Sequence, residues 1–292
     1  MIIDGKKLAD KILAELKKVS LREITRRVKI LKSPQLTIGA ILVGKNPASE
    51  SFLKQKAKTA EILGMNFKIF RFKSNITENE LGREIFKLNK NKKINGIIVQ
   101  LPLPKHIKTE KILETISSEK DIDALSKNPK VLAPTVETVR FIFNEYKINL
   151  KNKSILIVGR GQLVGQPIYN WLININRLSS RTSDRQLMKI DIIDVKQKNQ
   201  LPKLARQADI IISGVGKAGL INENIVKIGA ILIDFGFSRK NGPPNGKARK
   251  IYGDFEFESC AKKAKIITPV PGGMGPIMVA MLFKNLFKLN KV

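Results

Sequence analysis

The sequence predicts an α/β protein of two lobes with a cleft between them. Three observations carry that prediction. Short β-branched runs alternate with segments of helical apolar spacing through both halves of the chain, the pattern of parallel strands covered by helices. A glycine-spaced turn at 159–165 separates a strand-like run from a helix-like one. The length, 292 residues, suffices for two packed cores, since domains usually run to roughly 100–200 residues.

The elements follow in order. Residues 6–30 place Leu8, Ile12, Leu13, Leu16 and Val19 at helical spacing between lysines. Residues 36–43 form an apolar strand ending at Gly44. Lys45-Asn46-Pro47-Ala48 then turns the chain, and Ser49 is expected to cap a helix reaching about Leu63. A strand at 67–72, a helix at 78–88 and a strand at 94–100 complete the first half, stopped by Leu101-Pro102-Leu103-Pro104. In the second half, a buried strand at 154–159 leads through the glycine turn into an apolar helix at 166–175. Residues 177–188 read as a polar loop insertion. Strands are expected at 190–195, 210–215 and 231–235, a surface turn at 240–248, and a last apolar helix at 277–289 after a Pro/Gly-rich hinge. The N-terminal lobe is expected to span 1–140 and the second 141–274, with 275–292 packing back on the first.

Composition narrows the function. With 42% apolar residues the chain can bury enough surface to offset its entropy, which excludes a disordered basic tail. One cysteine, Cys260, excludes an internal disulfide framework, and one histidine, His106, argues against a metal site. No apolar run approaches the roughly 20 residues of a membrane span. The opening Met1-Ile2-Ile3-Asp4-Gly5 lacks the layout of a secretory signal, so a soluble cytoplasmic protein is expected. The formal charge of +29 raises the question of nucleic acid. Binders of that kind concentrate basic residues and interleave aromatics for stacking. Here aromatics are 6% of the chain and basic residues run through nearly every segment, the pattern of a solvated surface. Nucleic-acid binding is therefore only an outside alternative.

Two constellations carry chemistry. In Val158-Gly159-Arg160-Gly161-Gln162-Leu163-Val164-Gly165, glycines between strand and helix let backbone approach a pyrophosphate at a helix N-terminus. The Rossmann-type reading makes the second lobe a dinucleotide-binding domain. Asp194, at the end of the next strand, would hydrogen-bond the ribose of NAD, whereas Lys196, Lys198 and Arg160 would hold the 2′-phosphate of NADP. The second constellation is 49–56, where Ser49, Phe52 and Lys56 share one helix face. An aromatic ring beside an amine suits a flat heterocyclic substrate.

Several ordered blocks then converge. Gly44-Lys45-Asn46-Pro47-Ala48-Ser49, Val99-Gln100-Leu101-Pro102-Leu103-Pro104, Lys120-Asp121-Ile122-Asp123, Gly216-Lys217-Ala218-Gly219, Ile233-Asp234-Phe235-Gly236 and Pro269-Val270-Pro271-Gly272-Gly273-Met274-Gly275-Pro276 resemble one family along essentially the whole chain. It is the bifunctional methylenetetrahydrofolate dehydrogenase/methenyltetrahydrofolate cyclohydrolase family of one-carbon metabolism. The resemblance implies that Lys56 is the central catalytic group, supported by Gln100, with Asp123 gripping the pterin. It implies substrate contacts from Phe52, Ser49, Leu101, Pro102, Pro271, Gly272 and Gly273. The cofactor would be held by Gly159, Arg160, Gly161, Gly165, Asp194, Lys196, Gly214 and Gly216. NADP is the expected acceptor with NAD as the alternative, tetrahydrofolate derivatives are the expected partners, and a homodimer is expected by analogy.

The chain departs from the family pattern at Phe52, where Tyr is usual, at Ala124, where Gly is usual, and at Gly161, where Ser is usual. The ribose-side segment, Asp194-Val195-Lys196-Gln197-Lys198, is also atypical. A member retaining only one of the two activities is therefore an alternative. A 2-hydroxy-acid dehydrogenase would need a catalytic histidine, for which His106 is the single candidate.

Overall fold

The computed structural model describes residues 1–28, 35–179, 187–239 and 250–292. In chain order its elements are α1 (Gly5–Val28), β1 (Thr37–Val43), α2 (Pro47–Ile62), β2 (Asn66–Phe72), α3 (Glu78–Lys90), β3 (Gly96–Val99), α4 (Thr109–Glu114) and α5 (Pro134–Glu145). Then follow β4 (Ser154–Val158), α6 (Gly165–Ser179), β5 (Lys189–Ile193), a 3-10 turn (Val195–Gln200), α7 (Leu201–Gln207), β6 (Ile210–Ser213) and β7 (Ile231–Asp234). The chain ends with a short β8–β9 hairpin (Ser238–Arg239 and Ile251–Tyr252), α8 (Phe257–Lys263), β10 (Ile266–Ile267) and α9 (Met274–Leu289). Residues 10–134 with 279–292 form one compact unit, and 1–9 with 135–278 form the other.

The first unit is built on a parallel sheet of order β2-β1-β3. All seven residues of β1 are buried, as expected for a central strand covered on both faces. Leu81, Ile85 and Leu88 give α3 an apolar face on the core with Ile41, Ile97 and Val99. The helix is fixed at its start by a reciprocal Thr77–Glu80 capping box. At the other edge of β3, Ile97 pairs with Asp121, so the segment leading to Asp123 lies beside the strand that leads to Gln100.

The second unit carries a five-stranded parallel sheet, β10-β7-β6-β4-β5. Its core joins Leu156 and Val158 of β4, Ile193, Ile211 and Leu232 to Leu201, Ala205 and the buried Cys260. In each sheet the chain reverses its direction of addition at the strand that comes first in sequence, β1 in the first and β4 in the second, each with neighbours on both sides. Crevices at the carboxyl ends of such strands are where open α/β sheets bind ligands.

The structure corrects several details. Asn46, not Ser49, caps α2: its Oδ1 accepts from the amides of Ala48 and Ser49. Pro47 in the first turn was the local signal for this, because a proline there lacks only an amide that the helix cannot use. The polar stretch from 177 does not begin as a loop, since α6 continues to Ser179. Residues 29–30, 180–186 and the expected turn at 240–248 lie outside the described residues. Helices α4, α5, α7 and α8 were not anticipated; three have only six or seven residues, too short for a periodic signal.

Ala124 has φ of 56°, a left-handed conformation in which a Cβ is crowded. Ala124→Gly is therefore expected to stabilise the chain by about 1 kcal/mol, the relief of that crowding less the added freedom of the unfolded glycine. Denaturant unfolding checks it, and a loss of stability would show that Cβ contacts outweigh the backbone strain.

Candidate functional site

In the first unit, three chemically distinct side chains meet beyond the carboxyl ends of β1 and β3. The β1 strand runs into Gly44 and the Asn46 cap, and the capped α2 presents Lys56 ten residues on. The β3 strand ends in Gln100, whose amide donates to the Ile41 carbonyl and so keeps the residue on the sheet. Asp123 follows the segment that pairs with β3. Lys56 Nζ donates to Gln100 Oε1 at 3.4 Å and lies 4.0 Å from Asp123 Oδ2. The lysine and aspartate side chains are 15% and 22% exposed, enough to be reached and too little to be fully hydrated.

The orientation of Gln100 is set by its neighbours. Its Nε2 donates to the Leu101 carbonyl at 2.9 Å, which leaves Oε1 as the acceptor for the lysine. The same carbonyl accepts from the hydroxyl of the buried Ser49 at 3.3 Å. Ser49, Gln100, Leu101, Lys56 and Asp123 thus form one hydrogen-bonded and charged set. Phe52 shares α2 with Ser49 and Lys56 and is half-buried, and Pro102 is exposed beside Leu101. Burial pushes the Asp123 carboxyl above its ordinary range, with Lys56 pulling it down and Asp121 adding to the rise.

In the second unit, Gly159 follows β4 with φ of 105°, its amide donating to the Ile193 carbonyl. A Cβ at Gly165 would lie 1.7 Å from the Gly159 carbonyl oxygen, so only glycine lets the first turn of α6 close against the loop. Gly214, after β6, also comes close to Val164, where a Cβ would meet Cγ1 at 2.6 Å. Gly161 in the same turn and Gly216 after β6 are exposed, which leaves their backbone open to a pyrophosphate, so the residues fit a dinucleotide. Arg160 donates to the Ile192 carbonyl of β5 at 3.1 Å, placing its guanidinium near the end of that strand. Asp194 ends there too, and its Oδ1 caps the following 3-10 turn by accepting from the amides of Lys196 and Gln197. The Lys196 side chain is exposed.

Two carboxylates that the motif reading did not assign a role brace the loop holding Gly214 and Gly216. Asp254 is fully buried and accepts from the Ser213 hydroxyl and the amides of Val215 and Lys217, each at 2.7 Å. Asp234 accepts from the amides of Gly236, Asp254 and Phe255. Burial raises its carboxyl to about 7, against the pull of those amides. Pro271, Gly272 and Gly273 also belong to this unit, between β10 and α9. Among the described residues, no group of acidic, histidine or cysteine side chains is arranged to hold a metal. No helix there is long and apolar enough to cross a membrane.

Parallel sheets with a dinucleotide-type turn at one crevice and a lysine–amide–carboxylate set at another define an NAD(P)-dependent α/β enzyme. The comparisons name the family. Residues 3–123 match the catalytic domain of tetrahydrofolate dehydrogenase/cyclohydrolase and residues 133–292 match its NAD(P)-binding domain, and the chain belongs to that family. It is 39% identical over 301 residues to the bifunctional protein FolD of Nautilia profundicola, spanning 99% of this chain and 97% of that one. A crystal structure of the Campylobacter jejuni methylenetetrahydrofolate dehydrogenase/cyclohydrolase is 35% identical with a TM-score of 0.85, covering 100% of this chain and 98% of that one. The Trypanosoma brucei enzyme, solved with NADP cofactor and inhibitor, is 28% identical with a TM-score of 0.87, covering 100% and 97%.

Two outcomes follow from the geometry. Nothing lies within 4 Å of a Cβ at Gly161, so Gly161→Ser should keep the wild-type melting temperature and lower the KM for the dinucleotide by adding a donor. Gly165→Ala should lose dinucleotide binding, and binding at wild-type strength would remove the turn from the site. Separately, the raised Asp123 carboxyl loses its charge as pH falls through a value above the usual carboxylate range. The KM for the folate substrate is therefore expected to climb on that acid limb. A KM flat down to pH 4 would show that ionised Asp123 is not needed.

Proposed function

We propose that the chain oxidises 5,10-methylenetetrahydrofolate to the 5,10-methenyl form with NADP and hydrolyses that product to 10-formyltetrahydrofolate. The observation that carries this reading is the placement of Lys56 between the Gln100 oxygen and Asp123. A carboxylate complements the amino-pyrimidine donors of a pterin. An amine beside it is placed to handle protons at the one-carbon bridge, and the Phe52 ring offers a stacking face.

Bound NADP supplies the hydride acceptor, and Gly159, Gly161, Gly165, Arg160, Gly214 and Gly216 would hold it. NAD is the alternative, because Asp194 follows β5 where a ribose would be read, whereas Arg160, which reaches the same strand, favours the 2′-phosphate of NADP. The chain's own groups act mainly by position in the first step, since the folate nitrogens delocalise the charge of the methenyl cation. In the second step, water adds to the methenyl carbon and releases one proton. The bond from that carbon to N5 then breaks while the hydroxyl proton passes to N5, leaving the 10-formyl group. Lys56 carries these protons, and Gln100 keeps its nitrogen directed at the reacting carbon. A cytoplasmic homodimer, with a catalytic domain at 1–140 and a dinucleotide domain at 141–274, is part of the same proposal.

The test is the purified protein with methylenetetrahydrofolate and either dinucleotide, following methenyl formation and decay by absorbance. Formation with NADP, faster than with NAD, and subsequent decay are expected; no signal with either dinucleotide defeats the reading. Lys56→Met should slow methenyl hydrolysis by roughly a hundredfold or more, the usual worth of a positioned proton-transfer group. Unchanged hydrolysis would take that role from Lys56. Phe52→Tyr restores the family's hydroxyl and should raise turnover, and an unaltered rate would leave position 52 to stacking alone.

A further inference from the structure

Asp123 sits at the mouth of a stretch with no regular secondary structure, running from 124 to the start of α5 at Pro134. Such a stretch would hold the Asp123 carboxylate poorly unless something fixed it. The fixing group comes from α9, more than 150 residues away. Asn285 is fully buried, and its Nδ2 donates to the Ile122 carbonyl at 3.0 Å and to the Leu132 carbonyl at 2.8 Å. One amide therefore ties both ends of the loop together, one of them at the residue before Asp123. The orientation is forced, since a flipped amide would turn its oxygen on two carbonyls.

A second hold acts inside the loop. Asp121 is also fully buried, and its Oδ2 accepts from the Ser126 amide at 2.6 Å, closing the turn at 121–126 that contains Asp123. Gly96 makes room for the approach of α9 to Ile122. A Cβ there would lie 2.7 Å from Leu286 of α9 and 2.9 Å from Ile122. Among the described residues, Asp121 Oδ1, Ser126 Oγ and Asn285 Oδ1 are buried without a hydrogen-bond partner. Leaving such atoms unpaired is costly, and an apolar residue would fill the α9 position at less expense if packing were the only need.

We propose that Asn285 and Asp121 are positioning residues that clamp the Asp123 loop and set the affinity for the folate substrate. The proposal rests on the assignment of Asp123 to substrate binding. Neither residue touches substrate; both act through the backbone on either side of Asp123. The charged groups acting on Asp123 are Lys56 from α2 and Asp121 from its own loop. Asp121 therefore has an electrical effect as well as a mechanical one.

Asn285→Leu keeps an apolar side chain of similar size in the buried position but removes both donors. Asp121→Asn keeps an oxygen for the Ser126 amide and removes the charge. Each is measured for KM of both substrates, for kcat against pH and for thermal unfolding. Asn285→Leu is expected to raise the folate KM by on the order of tenfold, with the dinucleotide KM unchanged. Asp121→Asn is expected to move the acid limb of the folate KM to lower pH, because Asp123 then ionises without a neighbouring negative charge. A folate KM at the wild-type value in folded Asn285→Leu overturns the clamp, and an unmoved acid limb in Asp121→Asn overturns the electrical effect of Asp121 on Asp123. A wild-type protein inactive towards methylenetetrahydrofolate would instead overturn the proposed function, so the two failures are distinguishable.

Discussion

The Leu101 carbonyl takes the nitrogen of the Gln100 amide, and the amide oxygen is thereby left for Lys56. That single constraint organises the candidate site. Were the amide reversed, two donors would face each other, and Lys56 would have only Asp123 to hold it. The carbonyl is itself fixed by Ser49, whose place on α2 is set by the Asn46 cap. A cap of this kind is worth about 1 kcal/mol to a helix. Here it also determines which turn of α2 faces the end of β3.

The two sheets solve the same problem twice. In each, the strand that comes first in sequence has parallel neighbours on both sides and opens a crevice at its carboxyl end, and the following helix starts there. The first sheet lines its crevice with side chains able to move protons. The second lines it with glycines, and Asp254 braces the loop opposite through three donors. The excess positive charge falls outside this scheme. Its ion pairs, such as Lys87–Glu84 and Lys130–Glu119, are exposed, where such pairs add little stability. An anionic dinucleotide and a folate with its glutamate tail would be steered by a positive field, which raises association rates more than it raises affinity.

Much of the fold was legible because β-branched runs and helical spacing reflect burial that is local in sequence. The strands β1, β2, β3, β4 and β6 fall close to where the apolar runs place them. The short helices were not legible, since six or seven residues do not establish a period. Gln100 and Asp123 were legible only through the ordered blocks they belong to; spacing put Lys56 on one helix face with Ser49 and Phe52, and its role came from the family resemblance. Asn285 left one unread mark, a polar residue inside an apolar helical run. Its partners are the carbonyls of Ile122 and Leu132, and backbone atoms have no signature in the sequence. Asp194 shows the opposite case: one residue type suits both a ribose and a helix start, and its Oδ1 is engaged as a cap.

The central claim is that the lysine–amide–carboxylate set of the first unit is where folate chemistry takes place. A crystal structure of the protein with a non-reactive tetrahydrofolate analogue and NADP tests it most directly. The pterin ring donors are expected on the Asp123 carboxylate, with the one-carbon bridge within hydrogen-bonding reach of Lys56 Nζ. A pterin bound elsewhere, with Lys56 and Asp123 still paired and untouched, would contradict it.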